Sequence, residues 1–350
     1  MLERFAGPLR AVAARAHRVG LLIYAKAPRI LIYHSIVRSG SVYAKLFPGM
    51  YVEEHVFAQS MAYVRKYCHP FSLSDFLSYA EAGRQYPSNA VVLTFDDGYA
   101  NNYFRAAPLL AKYGIPGTFF ITTGYVDGEA PVWTAILDRY FVHRDSMPDP
   151  LGTLGLPMRW TRQTARRVRS VYSARLKTMA PDARQAAINH LALSPRHEPD
   201  TSDAVDVLNW DQLRELSRLP EMTVAPHTVS HPMLAQLPDD QAENEIAESY
   251  QRLREQGISA APYFAYPFGA PKDYTLREID LVKKIGFRCA LGTHPGLVTD
   301  QSDLFSLPRY EGKNDLTRFI CHASGLQCIL SRMAALSGRS KIASGPYGEA

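Results

Sequence analysis

The chain has 350 residues, 46% of them apolar and 21% charged, which allows one large domain or two ordinary ones and excludes disorder as its main state. Lys and Arg outnumber Asp and Glu by 39 to 34, giving a net charge of +5 and an isoelectric point near 8.9. That balance excludes a dedicated nucleic-acid binder and suits an acidic or phosphate-bearing partner without requiring one.

Residues 1–27 carry Arg4, Arg10, Arg15 and Arg18 between short apolar runs. The longest of these, Leu21–Tyr24, falls short of the apolar core of a secretory signal. We expect a basic amphipathic helix here, packed on the domain or resting peripherally on a membrane surface, in a cytoplasmic protein. The four cysteines (Cys68, Cys289, Cys321, Cys328) form no CxxC pair, which agrees with a reducing compartment. No apolar stretch is long enough to span a bilayer.

From residue 28 to about 325, short apolar runs alternate with longer segments of helical period, the pattern of βα units around a mainly parallel sheet. The spacing predicts strands at Arg29–Tyr33, Ala90–Phe95, Gly117–Thr122, Met222–Ala225, Tyr263–Tyr266, Arg288–Leu291 and Phe305–Leu307. Helices are predicted at Glu53–Tyr67, Asn101–Tyr113, Asp211–Arg218, Asp239–Gln256 and Asp273–Ile285, with Gly114 and Gly257 as stops. Residues 126–206 break the rhythm: they hold no strand pattern, and Arg159 to Arg184 contains eight Lys or Arg. This stretch reads as a helical insertion whose basic face is either solvated or a lid over an anionic substrate. Residues 326–350 read as a helix end followed, from Ser337, by a disordered Ser- and Gly-rich tail.

The residues just past each predicted strand are more informative than any single motif. In chain order they are His34, then Asp96-Asp97-Gly98-Tyr99, Thr122-Thr123-Gly124, His227-Thr228-Val229-Ser230-His231, Pro267-Phe268-Gly269, Gly292-Thr293-His294 and Pro308-Arg309-Tyr310. In a parallel α/β barrel all strand ends open onto one rim, which holds the active site. Polar and titratable groups gather at these ends, and that asymmetry argues for an enzyme.

Asp96 and Asp97 close an apolar strand, where two adjacent carboxylates point to opposite sides and persist only if paired or bound to a cation. His227 and His231 are spaced four apart, which on a helical turn places both imidazoles on one face. Together they supply two nitrogens and one oxygen, the composition of hydrolytic metal sites, which Zn²⁺ or a related divalent ion fits. Such an ion makes water a nucleophile near neutral pH, and a neighbouring carboxylate can take its proton.

TFDDGY at Thr94–Tyr99, HTVSH at His227–His231 and YFAYPFG at Tyr263–Gly269, in that order, resemble the polysaccharide deacetylase family, carbohydrate esterase family 4. IYHSI around His34 and LPRY at Leu307–Tyr310 resemble a subgroup of it. The likeness covers roughly residues 28 to 325, apart from most of the insertion. It implies a distorted (β/α) barrel, here of about seven parallel strands, that hydrolyses an N-acyl amide on an amino sugar with one divalent metal. Zinc is the first choice, with cobalt, nickel or manganese as alternatives.

By this resemblance Asp96 is the general base, Asp97, His227 and His231 are the metal ligands, and Thr228 steadies the loop between the histidines. The backbone N–H of Phe268 would help hold the oxyanion, a kind of donor that accelerates such reactions about 100- to 1000-fold. His34, Tyr99, Tyr266 and Pro267 are the substrate-contact candidates.

Two positions depart from the family pattern. Where many members carry an Arg that orients the catalytic Asp, this chain has Ala265, and Arg309 is the candidate to replace it. The family's general acid is a His in a late Leu-x-His segment; His294 and His322 are the candidates here, and His294 is preferred because it lies on the predicted rim. The expected substrate is an N-acetylated sugar in a polysaccharide or glycan precursor, with no nucleic-acid partner. The alternatives are a deacylase or deformylase acting on a small or lipid-linked amide, and a glycan-binding protein that has lost catalysis.

Overall fold

A computed structural model describes residues 19–129, 132–144, 159–179, 181–192 and 205–336. The expectations for residues 1–18 and for the tail from Ser337 lie outside these described residues. Residues 19–23 are helical, with Leu22 and Ile23 exposed. No helix among the described residues is long and apolar enough to cross a membrane.

The chain is α/β. Its strands are β1 (Arg29–Tyr33), β2 (Ser35–Val37), β3 (Tyr51–Glu53), β4 (His69–Pro70), β5 (Ala90–Phe95), β6 (Gly117–Ile121), β7 (Met222–Pro226), β8 (Tyr263–Ala265), β9 (Cys289–Leu291) and β10 (Tyr310–Glu311). Every pairing between them is parallel. The main sheet runs β10-β1-β5-β6-β7, with β4 beside the start of β5. β1 and β5 have the bounds their apolar runs predict, because all their residues are buried between covering layers. Their register sets Tyr33 beside Phe95, and Phe95 beside Phe119 of β6. The three rings stack across the sheet at 5.5 and 4.7 Å. This row floors the rim onto which His34 and Asp96 emerge.

The hydrogen-bonded ladder does not run through seven strands. β8 and β9 pair only with each other, and β2 with β3 forms a separate ribbon. One backbone bond, Ala261 N–H to Val224 C=O at 2.8 Å, links the approach to β8 with β7. The strand predicted at Phe305–Leu307 is reduced to a single bridge between Leu307 and Leu291. Pro308, which has no N–H to donate, comes next, and pairing resumes beside β1 as β10.

The predicted Asn101–Tyr113 helix divides into a π-helical turn, Asn102–Ala106, and an α-helix, Ala107–Tyr113. Pro108 lacks the N–H that a continuous ladder needs at that point. The helix predicted from Asp273 begins instead at Leu276, where Thr275 and Glu278 form a capping box.

The described residues of the stretch expected as an insertion hold helices at Trp133–His143, Ala165–Lys177 and Pro181–Ala192. These enclose a second apolar core in which Leu137, Phe141, Tyr172 and Leu176 pack with Tyr43 and Tyr51. A buried ion pair joins Arg169 Nε to Asp138 Oδ1 at 2.5 Å, and Asp138 also accepts from the Tyr51 hydroxyl at 2.9 Å. Because Tyr51 belongs to β3, the insertion is fastened to the rim and not hung from it.

Candidate active site

Asp96 and Asp97 leave β5 and enter one pocket together, contrary to the opposite sides that strand alternation predicts. Asp97 has a φ of 75° and Gly98 one of 87°, so the chain curls immediately after Asp96. A left-handed Asp is tolerated and a left-handed Gly is free of strain. Asp96 accepts both forks of Arg309, at 2.8 Å on Oδ1 and 2.7 Å on Oδ2. Arg309 also donates to the Gly292 carbonyl at 2.7 Å and to Thr94 at 3.1 Å, and is fully buried. Both oxygens of Asp96 are thus held by one guanidinium, which comes from the approach to β10 and not from the position of Ala265.

Residues 227–231 do not form the helical turn that their spacing suggested. They form a loop after β7 in which Thr228 and His231 have φ of 67° and 55°. The Thr228 hydroxyl accepts from the His231 N–H at 3.1 Å and donates to the His227 carbonyl at 2.5 Å. Glu245, on the Asp239–Glu255 helix, accepts from the N–H groups of Val229 and Ser230, both at 2.9 Å, and from the Ser230 hydroxyl at 2.6 Å. Six non-glycine residues among those described have positive φ, and four of them (Asp97, Thr228, His231, Phe268) stand here. Backbone strain of this kind concentrates where the surroundings hold a functional geometry in place.

Three donor atoms converge in this loop. Asp97 Oδ1 lies 3.5 Å from His227 Nε2 and 3.3 Å from His231 Nε2, and the ligand atoms of the three residues all fall within 4.8 Å of one another. Tetrahedral ligands at about 2.0–2.1 Å from Zn²⁺ stand about 3.3 Å apart, so the two spacings from Asp97 fit such an ion. His227 Nδ1 faces the Ala265 carbonyl at 2.6 Å, which fixes its proton there and leaves Nε2 as the donor atom.

Burial would raise the Asp97 carboxyl, but the imidazoles of His227 and His231 set against it hold it well below the usual carboxylate range. Burial likewise opposes ionisation of Asp96, and Arg309 and His227 reverse it, leaving Asp96 below its ordinary value. Burial first, countered only in part by Asp97, pushes His231 down to about 3, so its ring is neutral and able to ligate.

The pocket is walled by Ile32, His34, Gly49, Met50, Asp96, Asp97, Thr134, His227, His231, Phe268, Thr293 and Glu311. Every strand end of the main sheet except those of β4 and β6 contributes to it, together with the ends of β8 and β9. Phe268 has a φ of 60° and lays its ring 4.8 Å from that of His231. Its N–H donates to no acceptor among the described residues. His34 is half-buried, with Nδ1 lacking a hydrogen-bond partner among the described residues.

The other expected residues stand apart from the pocket. Tyr266 lies in the core, stacked at 3.9 Å on Tyr274 with its hydroxyl on the Phe305 carbonyl. Tyr99 is fully buried beneath the rim, bridged to Val207. Pro267 is buried behind Phe268. His294 is half-buried outside the pocket wall, and burial and the charge of Arg309 lower its pKa. His322 donates from Nδ1 to the Glu311 carbonyl at 2.8 Å and is likewise outside the wall. Sequence reasoning missed Glu245, Glu311 and Thr134. Glu311 comes directly after the LPRY motif, a signal that could have found it, whereas Glu245 and Thr134 carry no local signal.

The sequence model of the polysaccharide deacetylase family matches residues 83–290, more than half of the chain. The chain belongs to the polysaccharide deacetylase family. It is 43% identical over 58 residues to the poly-β-1,6-N-acetyl-D-glucosamine N-deacetylase of Staphylococcus aureus, a stretch that covers 17% of this chain and 20% of that enzyme. The chain thus matches about a fifth of the length of this curated relative.

Among solved structures it is similar in fold to the Streptococcus pyogenes deacetylase PplD in complex with acetate (TM-score 0.57, 18% identity, 85% of this chain and 98% of that one). It is similar also to IcaB from Ammonifex degensii (TM-score 0.51, 18% identity, 85% and 97% coverage).

Proposed function

We propose that the protein is a metal-dependent hydrolase that removes the N-acetyl group from an amino sugar in a polysaccharide or glycan precursor. The observation that carries this reading is the convergence of Asp97, His227 and His231 within 4.8 Å, beside a carboxylate held by a buried arginine. The strand ends that supply these groups read as the rim of a distorted barrel with an interrupted wall.

Asp97, His227 and His231 would hold one divalent ion, zinc before cobalt, nickel or manganese. When bound, such an ion supplies Lewis acidity that polarises a carbonyl and lowers the pKa of water. Asp96, ionised and fixed by Arg309, accepts the proton of the attacking water. The unengaged N–H of Phe268 donates to the oxygen on which negative charge develops. His34 is the proton donor to the departing amine: apart from the two ligand histidines it is the only imidazole in the wall of the described pocket. It takes the role expected of His294, which lies outside that wall. Products are acetate and a free amino sugar. Arg309 fills the gap at Ala265, which weakens the reading of a binding protein that has lost catalysis.

The S. aureus relative makes a β-1,6-linked N-acetylglucosamine oligomer the first substrate to test. Acetate release should occur from it and fall by about 10²–10⁴ in Asp96→Asn, with bound metal retained. No acetate release from the metal-loaded chain would overturn the reading, and release unchanged in Asp96→Asn would remove Asp96 as its base.

A further inference from the structure

The insertion reaches the rim of the pocket through the end of one of its helices. Lys177, the last residue of the Ala165–Lys177 helix, holds its ammonium 4.2 Å from the centre of the Phe268 ring and 2.7 Å from Asp273 Oδ1. Its side chain is 14% exposed and that of Asp273 is fully buried. The other carboxylate oxygen of Asp273 accepts from the Ala270 N–H at 3.0 Å. Lys177 therefore touches both ends of the segment Phe268–Asp273.

That segment is under strain at its start. Phe268 and Gly269 have φ of 60° and 67°, and a left-handed residue other than glycine persists only where its surroundings hold it. Phe268 is held on three sides: His231 at 4.8 Å, Trp133 at 5.9 Å and Lys177 at 4.2 Å. Two of these three come from the insertion. Its carbonyl is fixed by the Thr293 hydroxyl at 2.5 Å, and the Pro267 carbonyl, on the peptide that bears the Phe268 N–H, accepts from the Gly269 N–H at 2.7 Å, so that N–H moves with the tight turn and with the ring the turn carries.

We infer that Lys177 is a positioning residue through which the insertion sets the placement of the Phe268 N–H in the catalytic pocket. The inference rests on the hydrolase reading above, in which that N–H serves the developing oxyanion. A cation over an aromatic face and a half-buried ion pair are directional contacts, and both are absent unless the insertion is in place. An error of about 1 Å in a catalytic group costs up to about 100-fold in rate.

The test uses the full chain loaded with zinc and an activated aryl acetate as substrate, so that no assumption about the sugar enters. Lys177→Met keeps the length and apolar stem of the side chain and removes the charge. It should lower kcat by about 10- to 100-fold with KM within about twofold and zinc content unchanged. Lys177→Arg, which preserves both contacts, should recover most of the loss.

In a Phe268→Leu background, where the ring is gone, Lys177→Met should cost much less than it does alone. Asp273→Asn retains Lys177 and drops only the ion pair; if Lys177→Met fails to fold, a loss of kcat in Asp273→Asn carries the test. An unchanged kcat in Lys177→Met, or in Asp273→Asn where that variant stands in, overturns the inference. A raised KM alone also overturns it and makes Lys177 a substrate contact. A parallel loss of kcat, zinc and melting temperature that Arg does not rescue reduces it to a structural residue. Absence of hydrolysis by the zinc-loaded unsubstituted chain removes the hydrolase reading itself and this inference with it.

Discussion

Asp96 and Arg309 are buried to 2% and 0% exposure, and each is the main charge partner of the other. Removing one member of such a pair leaves an uncompensated charge, which costs about 3–5 kcal/mol, whereas removing both costs far less than the sum. Arg309→Met should therefore lose about that much unfolding free energy in urea, and Asp96→Asn in the same background should restore part of it. Additive losses would show that the two side chains do not act as a pair.

The same residues show what a sequence can reveal. Asp96, Asp97, His227 and His231 are legible because their side-chain chemistry is rare next to apolar strands, and Arg309 because it ends a strand segment where Ala265 leaves a gap. Tyr266 was not legible: alternation along a strand of three residues does not say which side faces the core, and its ring stacks on Tyr274 instead of a ligand.

At the scale of elements, the loop at 227–231 depends on a helix remote in sequence. Glu245 takes three hydrogen bonds from Val229 and Ser230, so the Asp239–Glu255 helix holds the two histidine rings at their separation of 4.9 Å. Supports of this kind contribute about 10- to 100-fold to metal affinity. Glu245→Gln should lose that much in competition with a chromogenic chelator, and an unchanged affinity would remove Glu245 from the account. The helical turn expected from the His-x-x-x-His spacing failed because two left-handed residues, Thr228 and His231, bring the rings together instead. Nothing in residue type foretells that.

Another element carries a pH response. His322, on the Leu316–Ala323 helix, is pushed down by burial from 6.5 to about 4. A group depressed in the folded state contributes stability that is complete above its unfolded pKa and is lost as pH falls towards its folded one. Melting temperature should therefore drop between about pH 6.5 and pH 4, and His322→Gln, which keeps an N–H for the Glu311 carbonyl, should flatten that drop. Equal slopes in the two proteins would exclude His322 as its source.

Across the whole molecule, residues from position 32 to position 311 meet at one pocket because parallel strands all end on the same side. That logic was readable from the order of apolar runs, and β1, β5, β6 and β7 fall where the runs lie. The closure of the sheet was not readable, since β4, β8 and β10 are two or three residues long and their pairing depends on tertiary packing. The reach of the insertion was also hidden: Lys177 reads as one more basic residue on a helix until folding sets it against Phe268.

The central claim is that one divalent ion, held by Asp97, His227 and His231, is needed for acetate release. The direct measurement is a zinc titration of chelator-stripped protein, with bound metal and acetate release followed in the same sample. Activity should rise in proportion to bound zinc, saturate at a single equivalent per chain, and stay at zero in His231→Ala. Full acetate release from the stripped protein, or unaltered zinc binding and activity in His231→Ala, would contradict the account.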